Sequence, residues 1–162
     1  MKSTCRRNVV FGLAMLFATG QRGVATAQAQ GGKTVVGVWR ITEVIPADGG
    51  KHNTAPQPGI IIFTKGYYSF NVVRTDAPRP ELPGTGATDK QLAEAFGPFD
   101  AVAGSYEAVG PQLRYQRIAA KNPNAMRPGT RSTATFRFEG SDTMFLNEDR
   151  PNSPMWRLSR LE

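Results

Sequence analysis

The sequence predicts an all-β fold: eight short antiparallel strands closing into an up-and-down barrel, with one short helix between strands three and four. Three observations carry this. Apolar and polar residues alternate with a period of two through most of the chain after residue 34, as in strands with one buried face. Turn signals rich in Gly, Pro, Asn and Asp break that alternation at short intervals. A single segment, after a Pro-rich stretch at 76–84, switches to helical spacing. At eight strands a closed barrel either fills with its own side chains or holds one small ligand.

The first 29 residues stand apart and read as a signal peptide. Lys2, Arg6 and Arg7 precede an apolar run, Val9 to Ala18, with no acidic residue among them. At ~1.5 Å per residue this run falls well short of a ~30 Å hydrocarbon core. It suits the apolar region of an export signal. Ala25-Thr26-Ala27 and Ala27-Gln28-Ala29 both fit the small-residue cleavage pattern, placing cleavage near 27–29. The expected location is therefore outside the cytoplasm, periplasmic or secreted. Cleavage would remove Lys2, Arg6, Arg7, Arg22 and Cys5, the only cysteine. The formal charge of +7 then falls to a surplus of three, 16 basic against 13 acidic residues. A surplus that small argues against nucleic acid as a partner. With no cysteine left, disulfides, Cys-bound zinc and thiolate chemistry drop out.

Residues 34–162 read as one domain. Thr34 to Ile45 is the first strand, Gly59 to Thr64 the second, and Tyr67 to Arg74 the third, with Lys65-Gly66 as the turn between the last two. The segment Asp76 to Gly84 has too many prolines for a helix interior or a central strand. Thr88 is an expected N-cap, with Gln91 completing a capping box. Leu92, Ala95, Phe96 and Phe99 follow at helical spacing, giving a helix over about 89–96 with an irregular extension toward 102. Five further strands follow: Ser105 to Val109, Leu113 to Ala119, Arg131 to Glu139, Thr143 to Glu148 and Met155 to Leu161. The stretch Asn122 to Gly129 is a longer loop.

Three blocks resemble the bacterial lipocalin-like domain family. Gly37-Val38-Trp39 in the first strand is similar to the lipocalin Gly-x-Trp signature. Gly59 to Ser69 resembles that family's strand-turn-strand block, and Phe99 to Glu107 its passage from helix to fourth strand. With the C-terminal strands, the resemblance spans Val35 to Leu161. It implies an up-and-down barrel, often with an apolar interior, and no particular activity. It also implies a structural plug, in which Gly37 and Trp39 close one end and an arginine of the last strand lies across the indole. Arg157 is the residue assigned to that place, with Arg160 the alternative. Such a cation–π contact is worth ~0.5–2 kcal/mol. The chain departs from the family in the fifth strand, where members often carry a histidine pair and this sequence reads Leu113-Arg114-Tyr115-Gln116-Arg117.

The candidate ligand-binding residues are Tyr68, Phe70, Tyr106, Tyr115 and Arg117. Tyr68 and Phe70 share a strand face, and tyrosine hydroxyls can fix the polar end of a ligand in an apolar cavity. Between Ala108 and Phe138 there are six basic residues and no acidic one. Arg114 and Arg131 of this run are candidates for an anionic head group or membrane surface. His52 is the only histidine and lies in a polar loop. No metal site, cofactor site or catalytic residue is assigned, although Glu43, Glu107 and Glu139 on strands could act as acid or base if buried.

Three function classes follow. The leading one is a non-catalytic exported barrel binding a small apolar or amphipathic molecule. The second is an enzyme of isomerase, cyclase or hydrolase type using buried carboxylates and tyrosines. The third is a structural or inhibitory protein-binding module with a filled core. A buried carboxylate beside a cavity separates the second from the others, and the interior volume separates the third.

Overall fold

In a computed structural model, which describes residues 33–162, the chain is a closed eight-stranded barrel. The strands are β1 (Gly37–Ile45), β2 (Gly59–Phe63), β3 (Tyr67–Val73), β4 (Phe99–Val109), β5 (Gln112–Ala120), β6 (Arg131–Glu139), β7 (Thr143–Glu148) and β8 (Met155–Arg160), with helix α1 (Asp89–Phe96) between β3 and β4. Each strand pairs antiparallel with its sequence neighbours, and β8 returns to β1. The proposed signal peptide lies outside the described residues.

The alternation read from the sequence is the inside–outside alternation of the barrel. Tyr68, Phe70 and Val72 point inward from β3, Leu113 and Tyr115 from β5, Ala134 and Phe136 from β6, and Trp156 and Leu158 from β8. These side chains belong to one continuous core. Two irregularities reset the phase, between Ile41 and Glu43 on β1 and opposite Ala103 and Gly104 on β4. An extra residue in one strand shifts every later side chain to the other face. Val44 is thereby returned to the core, and Ile118 on β5 is left 61% exposed.

Two sequence expectations change. The helix does not run on toward 102, and β4 begins at Phe99, six residues before its expected start. Pro98 cannot continue a helix, and Phe99 to Val102 find partners on β3 instead. The helix itself carries the expected capping box: the Thr88 hydroxyl accepts from the Gln91 amide, and the Gln91 side chain accepts from the Thr88 amide. Only Ala95 of α1 is buried.

The second change concerns the plug. The arginine over Trp39 is Arg160, its guanidinium carbon 4.1 Å from the ring centroid. Arg157 lies on the outer face, between Glu43 at 3.8 Å and the Phe145 ring at 6.0 Å. The strand period decides this, because Trp156 and Leu158 point inward and Arg160 continues that face. Arg160 donates to the Val36 carbonyl at 2.8 Å and the Thr34 carbonyl at 2.7 Å. Trp39 is fully buried and its indole N–H donates to the Val35 carbonyl at 2.8 Å. Gly37 is required beside them: its φ is +144°, and a β-carbon there would come within 2.5 Å of Arg160 Nη1. This end, which also holds the short turns of β2–β3, β4–β5 and β6–β7, is closed.

Candidate functional site

The opposite end gathers the long connections 46–58, 74–98, 121–130 and 149–154. The mouth they frame is divided by one side chain. Arg74, just past β3, lies over the Trp156 ring at 5.1 Å. Its Nε donates to Asp100 at 2.7 Å and its Nη2 stands 3.6 Å from Glu148. Glu148 is paired in turn with Arg150.

On one side of Arg74 is a cleft of about 110 Å³ with an apolar floor of Ile41, Val44, Val72 and Trp156. Asn53, Gln57 and Asp76 stand at its rim. The Asn53 amide donates to Asp76, fastening the 46–58 loop over this cleft. On the other side is a polar cleft of about 360 Å³, bordered by Asp100, Arg117, Asn122, Asn124, Glu148 and Arg150.

Below the mouth the barrel is filled. Tyr68 packs tilted against Tyr115 at 4.7 Å and edge-to-face with Phe70 at 5.1 Å, and Phe70 meets Tyr115 at 5.6 Å and Trp156 at 6.3 Å. Phe63 continues the series to Tyr106 at 5.2 Å. Tyr68, Phe70, Tyr106 and Tyr115 therefore pack on other rings instead of lining an open lumen. Their bulk consumes the space that eight strands enclose. Tyr106 is further committed, its hydroxyl donating to the Thr64 carbonyl at 2.7 Å. Of the candidates, Arg117 borders the polar cleft at the mouth, and Tyr115 borders a groove on the outer wall.

Burial sets the protonation of these phenols. Desolvation pushes Tyr68 up to about 12, opposed by the positive charge of Arg117 and assisted by Glu148. Tyr106 is pushed up to about 12 by desolvation alone. Tyr115 is held well above the ordinary phenol value, first by burial and then by Glu148. All three are neutral at physiological pH. The Tyr115 hydroxyl is buried and has no hydrogen-bond partner among the described residues.

The basic run between β4 and β6 is split: Arg114 and Arg131 border one groove on the outer wall with Glu107, and Arg117 borders the polar cleft at the mouth. Arg114 and Arg131 are exposed on the outer wall, with Glu107 across from Arg114 in the β4–β5 register. Arg137 stacks on Phe145 at 3.7 Å. Lys121 donates to the carbonyls of Phe96, Gly97 and Phe99 at the end of α1. His52 pairs with Glu43 at 2.7 Å. Among the described residues no carboxylate is fully buried, and no three His, Cys, Asp or Glu side chains gather as metal ligands.

Sequence reasoning missed Arg74, Asp100, Glu148 and Trp156 at the mouth. Each lies at or next to a strand end, but nothing in the sequence says that these particular strand ends meet.

No family model matches the chain, and no curated protein matches it. Solved structures similar to it include a lipocalin-like protein from Bacteroides uniformis, 12% identical with a TM-score of 0.46, covering 78% of this chain and 97% of that one. An uncharacterized protein from Bacteroides eggerthii is also 12% identical, with a TM-score of 0.44, covering 76% of this chain and 98% of that one.

Proposed function

We propose that the protein is a non-catalytic binding module that holds a small amphipathic molecule at the mouth of its barrel. The cleft over Ile41, Val72 and Trp156 carries this reading: it is apolar at its floor, polar at its rim and about 110 Å³ in volume. Apolar area removed from water there contributes ~25 cal/mol per Å², and the rim groups orient the polar part. The filled barrel axis directs the ligand to the mouth. A filled core also suits a protein-binding module, but the cleft favours a small molecule. The carboxylate at the cleft's rim, Asp76, accepts from Asn53, and Asp100 and Glu148 beyond Arg74 are engaged by Arg74 and Arg150, which favours binding over acid–base catalysis.

Trp156 floors the cleft and Trp39 is buried at the far end, so tryptophan emission reports occupancy. Amphipathic probes are expected to change the emission of the wild-type protein and not of Trp156→Phe. Mass spectrometry of an organic extract of the natively purified protein should show a co-purifying molecule. An empty extract together with an unresponsive Trp156 would sink the proposal.

We also propose export, with cleavage near 27–29. Intact mass of the protein from its native source tests this, and a chain beginning at Met1 would refute it.

A further inference from the structure

The polar half of the mouth contains an arrangement that the apolar cleft alone does not use. Tyr68 on β3 is in register with Gly104 on β4, and Gly104 with Arg117 on β5. Tyr68 and Arg117 both come from inward-facing positions. Between them stands a residue with no side chain. The glycine is imposed by the backbone, since a β-carbon at 104 would run into the Gln116 carbonyl oxygen. The positive charge of Arg117 is felt at the Tyr68 hydroxyl.

The charges around this cleft do not cancel. Arg74, Arg117 and Arg150 border it with Asp100 and Glu148, leaving one positive charge. The two carboxylates are taken up by Arg74 and Arg150. Among the described residues Arg117 has no carboxylate within ion-pair distance. It is only partly exposed, and a guanidinium withdrawn from water gains most from a planar, bidentate anion. Tyr115, the next inward residue on β5, holds a buried hydroxyl with no partner among the described residues.

We propose that Arg117 anchors the carboxylate of a monoanionic amphipathic ligand in the polar half of the mouth, while its apolar part occupies the cleft over Trp156. This rests on the binding reading above and names the ligand class. One unmatched positive charge suits one negative charge. A dianionic phosphate would meet Asp100 and Glu148 along the same wall, and like-charge proximity disfavours it.

The test compares octanoate, 1-octanol and octyl phosphate by titration calorimetry. Wild type is expected to bind octanoate at least about tenfold more tightly than octanol, a difference of ~1.4 kcal/mol. Octyl phosphate, mostly dianionic at about pH 8, is expected to bind less tightly than octanoate. Arg117→Gln should abolish the octanoate preference while keeping octanol affinity, which also shows that the variant folds. Arg117→Lys, which keeps the charge and loses the fork, should keep only part of it. Equal wild-type affinity for octanoate and octanol would overturn the carboxylate site and leave the binding reading standing. Binding of none of the three would overturn both. An octanoate preference that survives in Arg117→Gln, or tighter binding of octyl phosphate, would also overturn the assignment.

Discussion

Replacing Arg160 by methionine removes the plug at the closed end while keeping the length and apolar stem of the side chain. The guanidinium makes two half-buried hydrogen bonds, to Val36 and Thr34, and longer, exposed ones to Ser141 at 3.3 Å and Glu162 at 3.5 Å. Discounted for partial burial, the two short bonds are worth about 1 kcal/mol each. The contact with Trp39 adds about 1 kcal/mol. The longer bonds are exposed and add little. Arg160→Met should therefore lower stability by about 3 kcal/mol, with Arg160→Lys between it and wild type. Arg157→Met is the control. Its side chain is 44% exposed and its ion pair with Glu43 is long, so its cost should stay below about 1 kcal/mol. Equilibrium urea unfolding followed by far-UV circular dichroism measures both. An Arg157→Met cost equal to or above that of Arg160→Met would refute the reasoning, and so would an Arg160→Met cost under about 1 kcal/mol.

Other consequences are as direct. Gly104→Ala should cost about 1–3 kcal/mol or more in the same assay, because the obstacle is backbone that cannot swing aside. Alkaline pH should destabilise the fold: the unfolded chain releases tyrosine protons near ~10, whereas Tyr68 and Tyr106 hold theirs to about 12. The stability they contribute is complete below the unfolded value and is lost as pH rises through the folded one. Absorbance at ~295 nm should show these residues ionising later in the native protein than in urea; coincident titrations would contradict this. Thr88→Ala should speed amide exchange in α1, at a local cost of ~1 kcal/mol, and barely move the urea midpoint. The reason is that α1 buries only Ala95. A large shift of the midpoint would show that the helix is coupled to the barrel.

The amino-acid sequence was sufficient for the strand count, the order of elements, the capped helix and the tryptophan of the plug. The role of the tryptophan was implied by the resemblance of Gly37-Val38-Trp39 to a family signature; the others rest on local information: a period of two, glycine and proline punctuation, and Thr88 and Gln91 three residues apart. The sequence also named Arg117 as a candidate, and the inward phase of β5 places that residue beside the polar cleft. Features set by contacts distant in the chain needed the tertiary structure. The start of β4 at Phe99 depended on β3 being free to pair with it. The choice of Arg160 over Arg157 followed from the inward phase of β8 and from the room left by Gly37, more than a hundred residues away. The mouth was least visible in the sequence. Arg74, Asp100, Glu148 and Trp156 come from four different strand ends, and closure of the barrel alone makes them neighbours. The same closure decided that Tyr68, Phe70, Tyr106 and Tyr115 fill the interior, because eight strands enclose too little space for those rings and a ligand together.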